Sequence, residues 1–136
     1  MDEYRKPLPV ADVDSDEFWN GCHRHELLLQ RCEQCHSFHY PPAPICPQCF
    51  SMNLKWEKAS GKGEVYTYTI VRRPLSPEWE KDVPYTVGVI QLNEGVRMVS
   101  NVIGCKPEDI SIGMKVEVAF EDVTENISLP KFKPVS

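Results

Sequence analysis

The sequence predicts a mainly β protein in two parts: an N-terminal arm, short helix and four-cysteine ribbon over residues 1–60, then a five-stranded barrel over residues 61–136. Three observations predict it. Cys32-Glu33-Gln34-Cys35 and Cys46-Pro47-Gln48-Cys49 are two close cysteine pairs with ten residues between them. After Gly61 and Gly63 the pattern changes to short alternating runs rich in Val, Ile, Thr and Tyr. No apolar run approaches the roughly 18 residues of a membrane-spanning helix.

The cysteines carry the most specific signal. A two-residue gap lets both thiolates of a tight turn point at one ion, and two such knuckles face to face complete a tetrahedral site. Soft thiolates in that geometry select zinc or iron, and zinc is the ion expected on Cys32, Cys35, Cys46 and Cys49. Four protein ligands leave no open position, so the ion is expected to be structural. A redox dithiol would want one pair at a helix N-terminus, and this proline-rich setting does not provide it.

The elements follow in order. Residues 1–13 carry Pro7 and Pro9 and read as an arm lying on something else. Asp14 with Glu17 reads as a capping box that starts a helix running to about Arg24. Phe18, Trp19 and Cys22 fall on one side of it, and a helix this short must pack that side on the chain or on a partner. Leu27 to Arg31 leads into the first knuckle, and Leu54 to Glu57 leads out of the second. Pro41, Pro42 and Pro44 break any helix between them. This is the layout of a zinc ribbon.

In the second part, strands are expected at Val65–Val71, Tyr85–Leu92, Val96–Ile103, Lys115–Glu121 and Leu129–Val135. Asn93-Glu94-Gly95 makes a hairpin turn, and Pro107 to Ile110 one helical turn. The last strand carries Pro130 and Pro134 near its ends, which suits an edge. Five short strands in a small closed barrel point to an OB-fold. Tyr66 and Tyr68 are expected to share a face opposite Val65, Thr67 and Thr69.

Charge weighs against one class of partner, nucleic acid. The net charge is −5, and the acid excess is present in both parts. Base stacking on a barrel face needs a cationic groove as well as aromatics, and no basic footprint is visible. The N-terminus lacks the apolar stretch of a signal peptide, so a cytoplasmic location is expected, where paired cysteines read as metal ligands. His23, His25, His36 and His39 cluster around the ribbon and read as surface or loop histidines, with His36 or His39 able to donate to a thiolate. Cys22 reads as buried packing. Cys105 is single, with no base that the sequence places beside it.

Taken in order, several stretches resemble the family long called "domain of unknown function thirty-five". They are Glu17-Phe18-Trp19-Asn20-Gly21, Leu29-Gln30-Arg31-Cys32, Tyr40-Pro41-Pro42, Gly61-Lys62-Gly63, Val65 to Thr69, Pro84-Tyr85, Asn93 to Arg97, Ile112-Gly113-Met114 and Leu129 to Phe132. The resemblance implies a rubredoxin-like zinc ribbon joined to an OB-fold. It also implies a non-catalytic role in acyl-CoA metabolism, as accessory subunit of a thiolase-like enzyme, a lipid-transfer-protein-type aldolase or a hydratase. One departure stands out: His36 and Phe50 follow the second cysteine of each knuckle, where glycine is usual because it tolerates positive φ.

If the ligand is an acyl-CoA, its phosphates need cations, and Arg forks match phosphate oxygens. Arg72, Arg73, Lys131 and Lys133 are the candidates, although a solvated basic pair on a loop fits Arg72 and Arg73 equally. The long stretch from Pro74 to Pro84 is a candidate for binding either CoA or a partner. Phe18, Trp19 and Leu28 are the candidate partner contacts. A stand-alone acyl-CoA carrier and a single-strand nucleic-acid-binding module are the competing readings.

Overall fold

The computed structural model describes residues 6–135. A helix α1 (Asp16–His23) precedes a three-stranded antiparallel sheet of order β2-β1-β3, with β1 Leu28–Cys32, β2 Phe38–His39 and β3 Leu54–Lys58. A five-stranded antiparallel sheet of order β6-β5-β4-β7-β8 follows. It is made by β4 (Lys62–Val71), β5 (Tyr85–Leu92), β6 (Arg97–Asn101), β7 (Lys115–Asp122) and β8 (Ser128–Pro134). The sheet curls until its two edges meet. Val102 bridges Phe132 in parallel, Ile103 N–H donates to Phe132 O at 2.7 Å, and the Ser100 hydroxyl donates to Pro130 O at 2.8 Å. The result is the five-stranded, nearly closed OB-like barrel that the alternating pattern predicts.

Three local expectations are corrected. The helix starts later than Asp14: Ser15 is its N-cap residue, and Asp12 organises the entry by accepting from the Ser15 N–H and hydroxyl at 2.9 and 2.8 Å. Those two bonds hold the Asp12 carboxyl below the usual carboxylate range, the hydroxyl contributing most. The ribbon has a third strand, the two-residue β2, too short to show any period in sequence.

Tyr66 and Tyr68 do not share a face. The β4–β5 register shifts between Val65 and Thr67, an extra residue that turns the following side chains over. Val65 is fully buried and Tyr68 packs on the core, whereas Tyr66 is exposed with the Arg97 guanidinium 3.7 Å from its ring centre.

One core serves both sheets. Phe18, Cys22, Leu27 and Leu29 from the helix and ribbon belong to the same buried cluster as Val65, Ile90, Leu92, Met98, Val116 and Phe132 from the barrel. The link between the sheets is Ala59 to Gly61. It is pinned on one side by Ala59 N–H to Leu27 O at 2.8 Å, and on the other by Val118 N–H to Gly61 O at 2.7 Å. A polar tie adds to it. His25, at φ 62, stacks on Phe120 and places Nε2 2.8 Å from Asp122 Oδ1, which also accepts from the Ser128 hydroxyl. Ser128 first and His25 second hold the Asp122 carboxyl below its ordinary range. None of the described helices is long and apolar enough to cross a membrane.

Candidate functional site

The knuckles bring all four cysteines together. Their Sγ atoms lie within 4.8 Å of one another, with Cys32 3.5 Å from Cys49 and Cys35 3.6 Å from Cys46. A tetrahedral ion with Zn–S bonds of about 2.3 Å would hold its sulfurs about 3.8 Å apart, so the cluster is close to the size such an ion needs. Backbone N–H groups of Gln34 and Cys35 point at Cys32 Sγ, and that of Gln48 at Cys46 Sγ, each at 3.4 Å. The Ser37 hydroxyl lies 3.0 Å from Cys35 Sγ and 3.8 Å from Cys46 Sγ.

The amides favour thiolate. The Cys35 N–H draws the Cys32 thiol below its ordinary value, and the Cys49 N–H draws Cys46 down to about 6. Cys49 goes the other way: the Ser51 N–H pulls it down, but burial and the three neighbouring sulfurs prevail and push it up to about 12. A divalent cation at the centre is what would let all four ionise together.

His36 and Phe50 adopt φ 66 and 62, the left-handed conformation that glycine would take there. The departure in sequence thus leaves the knuckle geometry intact. Each closes its turn by donating its N–H to the first cysteine's carbonyl, His36 to Cys32 and Phe50 to Cys46, both at 2.9 Å. His23, His25 and His36 are exposed. His39 is buried, with neither ring nitrogen hydrogen-bonded, and burial lowers its pKa. Among the described residues the four cysteines are the one group placed to hold a metal.

A second feature was not legible in sequence. A cavity of about 290 Å³ opens where the barrel edges meet, walled by Trp79, Tyr85, Thr86, Asn101, Cys105 and Lys131. Trp79 comes from the long β4–β5 loop, where residues 77–79 form one helical turn, and it stacks on Tyr85 with ring centres 5.4 Å apart. Lys6 of the arm pairs with Asp82 and lies over the Trp79 ring, so the arm touches this loop at Lys6. Thr86 is 2% exposed and its hydroxyl has no partner. Asn101 is held by donating to Thr86 O at 2.9 Å. Cys105 also borders the cavity, and burial, then Asp109, raise its thiol pKa, which keeps it protonated and a weak nucleophile.

Of the four basic candidates, only Lys131 reaches this cavity. Its ammonium pairs with Glu121 at 2.7 Å and its side chain is 14% exposed. Lys133 of β8 lies 3.9 Å from Glu117 of the neighbouring β7, and Arg72 and Arg73 are exposed at the start of the loop. Of the three partner-contact candidates, Phe18 and Leu28 turn inward, 2% and 8% exposed. Leu28 lies against Gly21 and Phe18 against Trp19 and Tyr40. Only Trp19 keeps surface, on a smaller cavity of about 140 Å³ shared with Pro9, Ala11 and Ile127.

Two domain families match consecutive segments: the ChsH2 rubredoxin-like zinc ribbon domain over residues 19–54 and the ChsH2 C-terminal OB-fold domain over residues 56–121. A DUF35 domain-containing scaffold protein of Methanocaldococcus jannaschii is 41% identical over 105 residues, 76% of this chain and 73% of that protein. The chain belongs to the DUF35 family. A probable enoyl-CoA hydratase alpha subunit of Thermomonospora curvata is 34% identical over 95% of this DUF35 chain, which spans only 40% of that longer protein. Among solved structures, a chain of the Ltp2-ChsH2(DUF35) aldolase superposes with a TM-score of 0.85 at 34% identity, covering 93% of this chain and 98% of that one.

Proposed function

We propose that this DUF35 chain is a non-catalytic accessory subunit of an acyl-CoA-processing enzyme (a thiolase, a lipid-transfer-protein-type aldolase or a hydratase), which it stabilises while helping to hold or shield the acyl-CoA. The observation that carries this reading is the end-to-end likeness to the chain of the Ltp2-ChsH2 aldolase. That likeness spans ribbon and barrel together. In this reading residues 1–60 form the arm, helix and ribbon unit and residues 61–136 the barrel unit. The ion is zinc, held by Cys32, Cys35, Cys46 and Cys49, and it supplies structure. A cytoplasmic location goes with it, since free thiols persist as ligands in a reducing compartment.

The cavity at the barrel seam supports a contact with the acyl-CoA. Its aromatic wall suits an apolar or amide-bearing chain, and Lys131 with Lys133, Arg72 and Arg73 would meet the phosphates. Trp19 is the candidate partner contact that remains at the surface. The cavity also gives the stand-alone carrier reading a specific observation in its favour.

The test is gentle affinity purification of the tagged chain from its own cells, with co-purifying proteins identified by mass spectrometry. A stoichiometric thiolase, aldolase or hydratase subunit is expected. A partner-free chain that binds CoA esters would replace this reading with the carrier. Nucleic acid retained through moderate salt would overturn it.

A further inference from the structure

We propose that the second cysteine knuckle, residues 45–52, is the docking tip of the molecule, seated in an uncharged socket of a heterologous protein subunit bordered by Lys or Arg side chains. This rests on the accessory-subunit reading and names the surface that it uses.

Charge is the first observation. None of the 21 residues from Gln34 to Leu54 is Asp, Glu, Lys or Arg, in a chain where those types make up 26%. Exposed surface without charge, carrying aromatic and Met side chains, has the composition of the centre of a protein interface. Ile45, Phe50 and Met52 supply it, 39%, 72% and 78% exposed. All three ride on one tight hairpin, closed by Cys46 N–H to Ser51 O at 2.8 Å and Phe50 N–H to Cys46 O at 2.9 Å.

Phe50 is the second observation. It holds φ 62, where glycine costs nothing and a bulky side chain is strained. It is 72% exposed, so packing on its own chain offsets little of that strain. An exposed aromatic held rigidly at a tip has the character of an interface anchor.

The third observation decides the occupant. With a divalent ion bound, the four thiolates keep a net double negative charge. Cys49 lies exposed on this tip and Cys35 on the first knuckle facing it, and no Lys or Arg occurs between Cys32 and Leu54. Besides one another, the sulfurs meet backbone N–H groups and the Ser37 hydroxyl. The complementary surface is therefore apolar with a cationic border. A second copy of this chain would set two such centres against each other. An anionic lipid surface or a nucleic acid would meet negative charge offset by little: Arg31, which donates to His36 O at 3.0 Å, is itself paired with Glu57.

The experiment uses the full zinc-loaded chain and the enzyme subunit that co-purifies with it, expressed separately. A benzophenone photo-crosslinker is placed at Phe50 and, in a second sample, at Val99, an apolar residue 66% exposed on the barrel. Crosslinking from Phe50 to a partner segment containing Lys or Arg is expected. Phe50→Gly should weaken the complex at least tenfold while melting no lower than wild type, because it removes both the anchor and the strain. Phe50→Ser with Met52→Ser should weaken it further at unchanged zinc content.

Unaltered affinity in both variants, or crosslinking from Val99 alone, overturns the docking tip and leaves the accessory role standing. Wild-type chain that binds no subunit, or that pellets with anionic vesicles, overturns both.

Discussion

Gly63 and Gly95 make a matched pair whose substitution by alanine separates crowding from backbone strain. Gly63 lies on β4, paired with Leu92 of β5 on one side and Val116 of β7 on the other. A Cβ there would sit 2.4 Å from Gln91 O and 3.0 Å from Leu92 Cα, both backbone atoms of a hydrogen-bonded strand that has no side-chain rotamer to change. Overpacking usually costs about 1–3 kcal/mol, and backbone obstruction on a central strand places Gly63→Ala at about 3. Gly95 has φ +95 in the β5–β6 turn, and a Cβ there meets nothing within 4 Å. Its alanine carries about 1–2 kcal/mol of left-handed strain, partly offset by about 0.4–1 kcal/mol from a stiffer unfolded chain. In a chain this size each kcal/mol moves the melting temperature by about 3–4 °C. Calorimetry of the metal-loaded chain should therefore show Gly63→Ala melting about 10 °C low and Gly95→Ala within about 6 °C of wild type. Equal shifts, or the reverse order, would refute the packing argument for the Gly61-Lys62-Gly63 segment.

Other outcomes follow from the same geometry. Cys46→Ser, or chelation of the ion, should abolish the cooperative melt followed by circular dichroism. Structural zinc contributes about 10–16 kcal/mol in small domains, as much as a whole fold of this size commonly has; an unchanged melt would remove the structural role of the ion. Burial of His39 lowers its pKa in the folded state, so the fold holds fewer protons than the unfolded chain. Its contribution is complete above the unfolded value of about 6.5 and is lost as pH falls through the lower folded one. Urea midpoints of wild type and His39→Phe, measured between pH 7.5 and 5.5, should show the smaller acid loss in the variant. Lys131→Ala should weaken CoA-ester binding by the assembled complex about tenfold, the range for a charged hydrogen bond; calorimetric titration showing no change would take the cavity out of CoA recognition.

How much could be read from residues alone depended on whether the determining contact was local. The four-sulfur cluster was legible because the spacing within each pair is itself the constraint. β5 was legible because Thr86, Gly88, Ile90 and Leu92 alternate cleanly toward the core. The bulge after Val65 was not, since Tyr66 and Tyr68 obey the period of two and only the register against β5 shows the extra residue. Phe18 and Leu28 read as exposed apolar surface for want of a visible cover, and the cover comes from neighbours in the folded chain: Tyr40 over Phe18, Gly21 against Leu28. The cavity needs Trp79, Asn101 and Lys131, residues from three separated segments that meet only when β6 and β8 close the barrel. The long loop marked this stretch as a candidate for binding, but not which residues would wall a cavity beside it.

The buried cluster that runs from Cys22 through Leu29 to Ile90 and Phe132 has a consequence for how the chain is cut and counted. Two domain families meet near residue 55, which invites separating the halves as interchangeable parts. Excision at that seam would leave the ribbon fragment without the cover that β8 gives its helix, and the barrel fragment with the face of β8 that the helix covers laid bare. The pieces are modular as text and indivisible as matter: they should melt as one transition, and damage done at the sulfurs should be measurable at the far wall of the barrel.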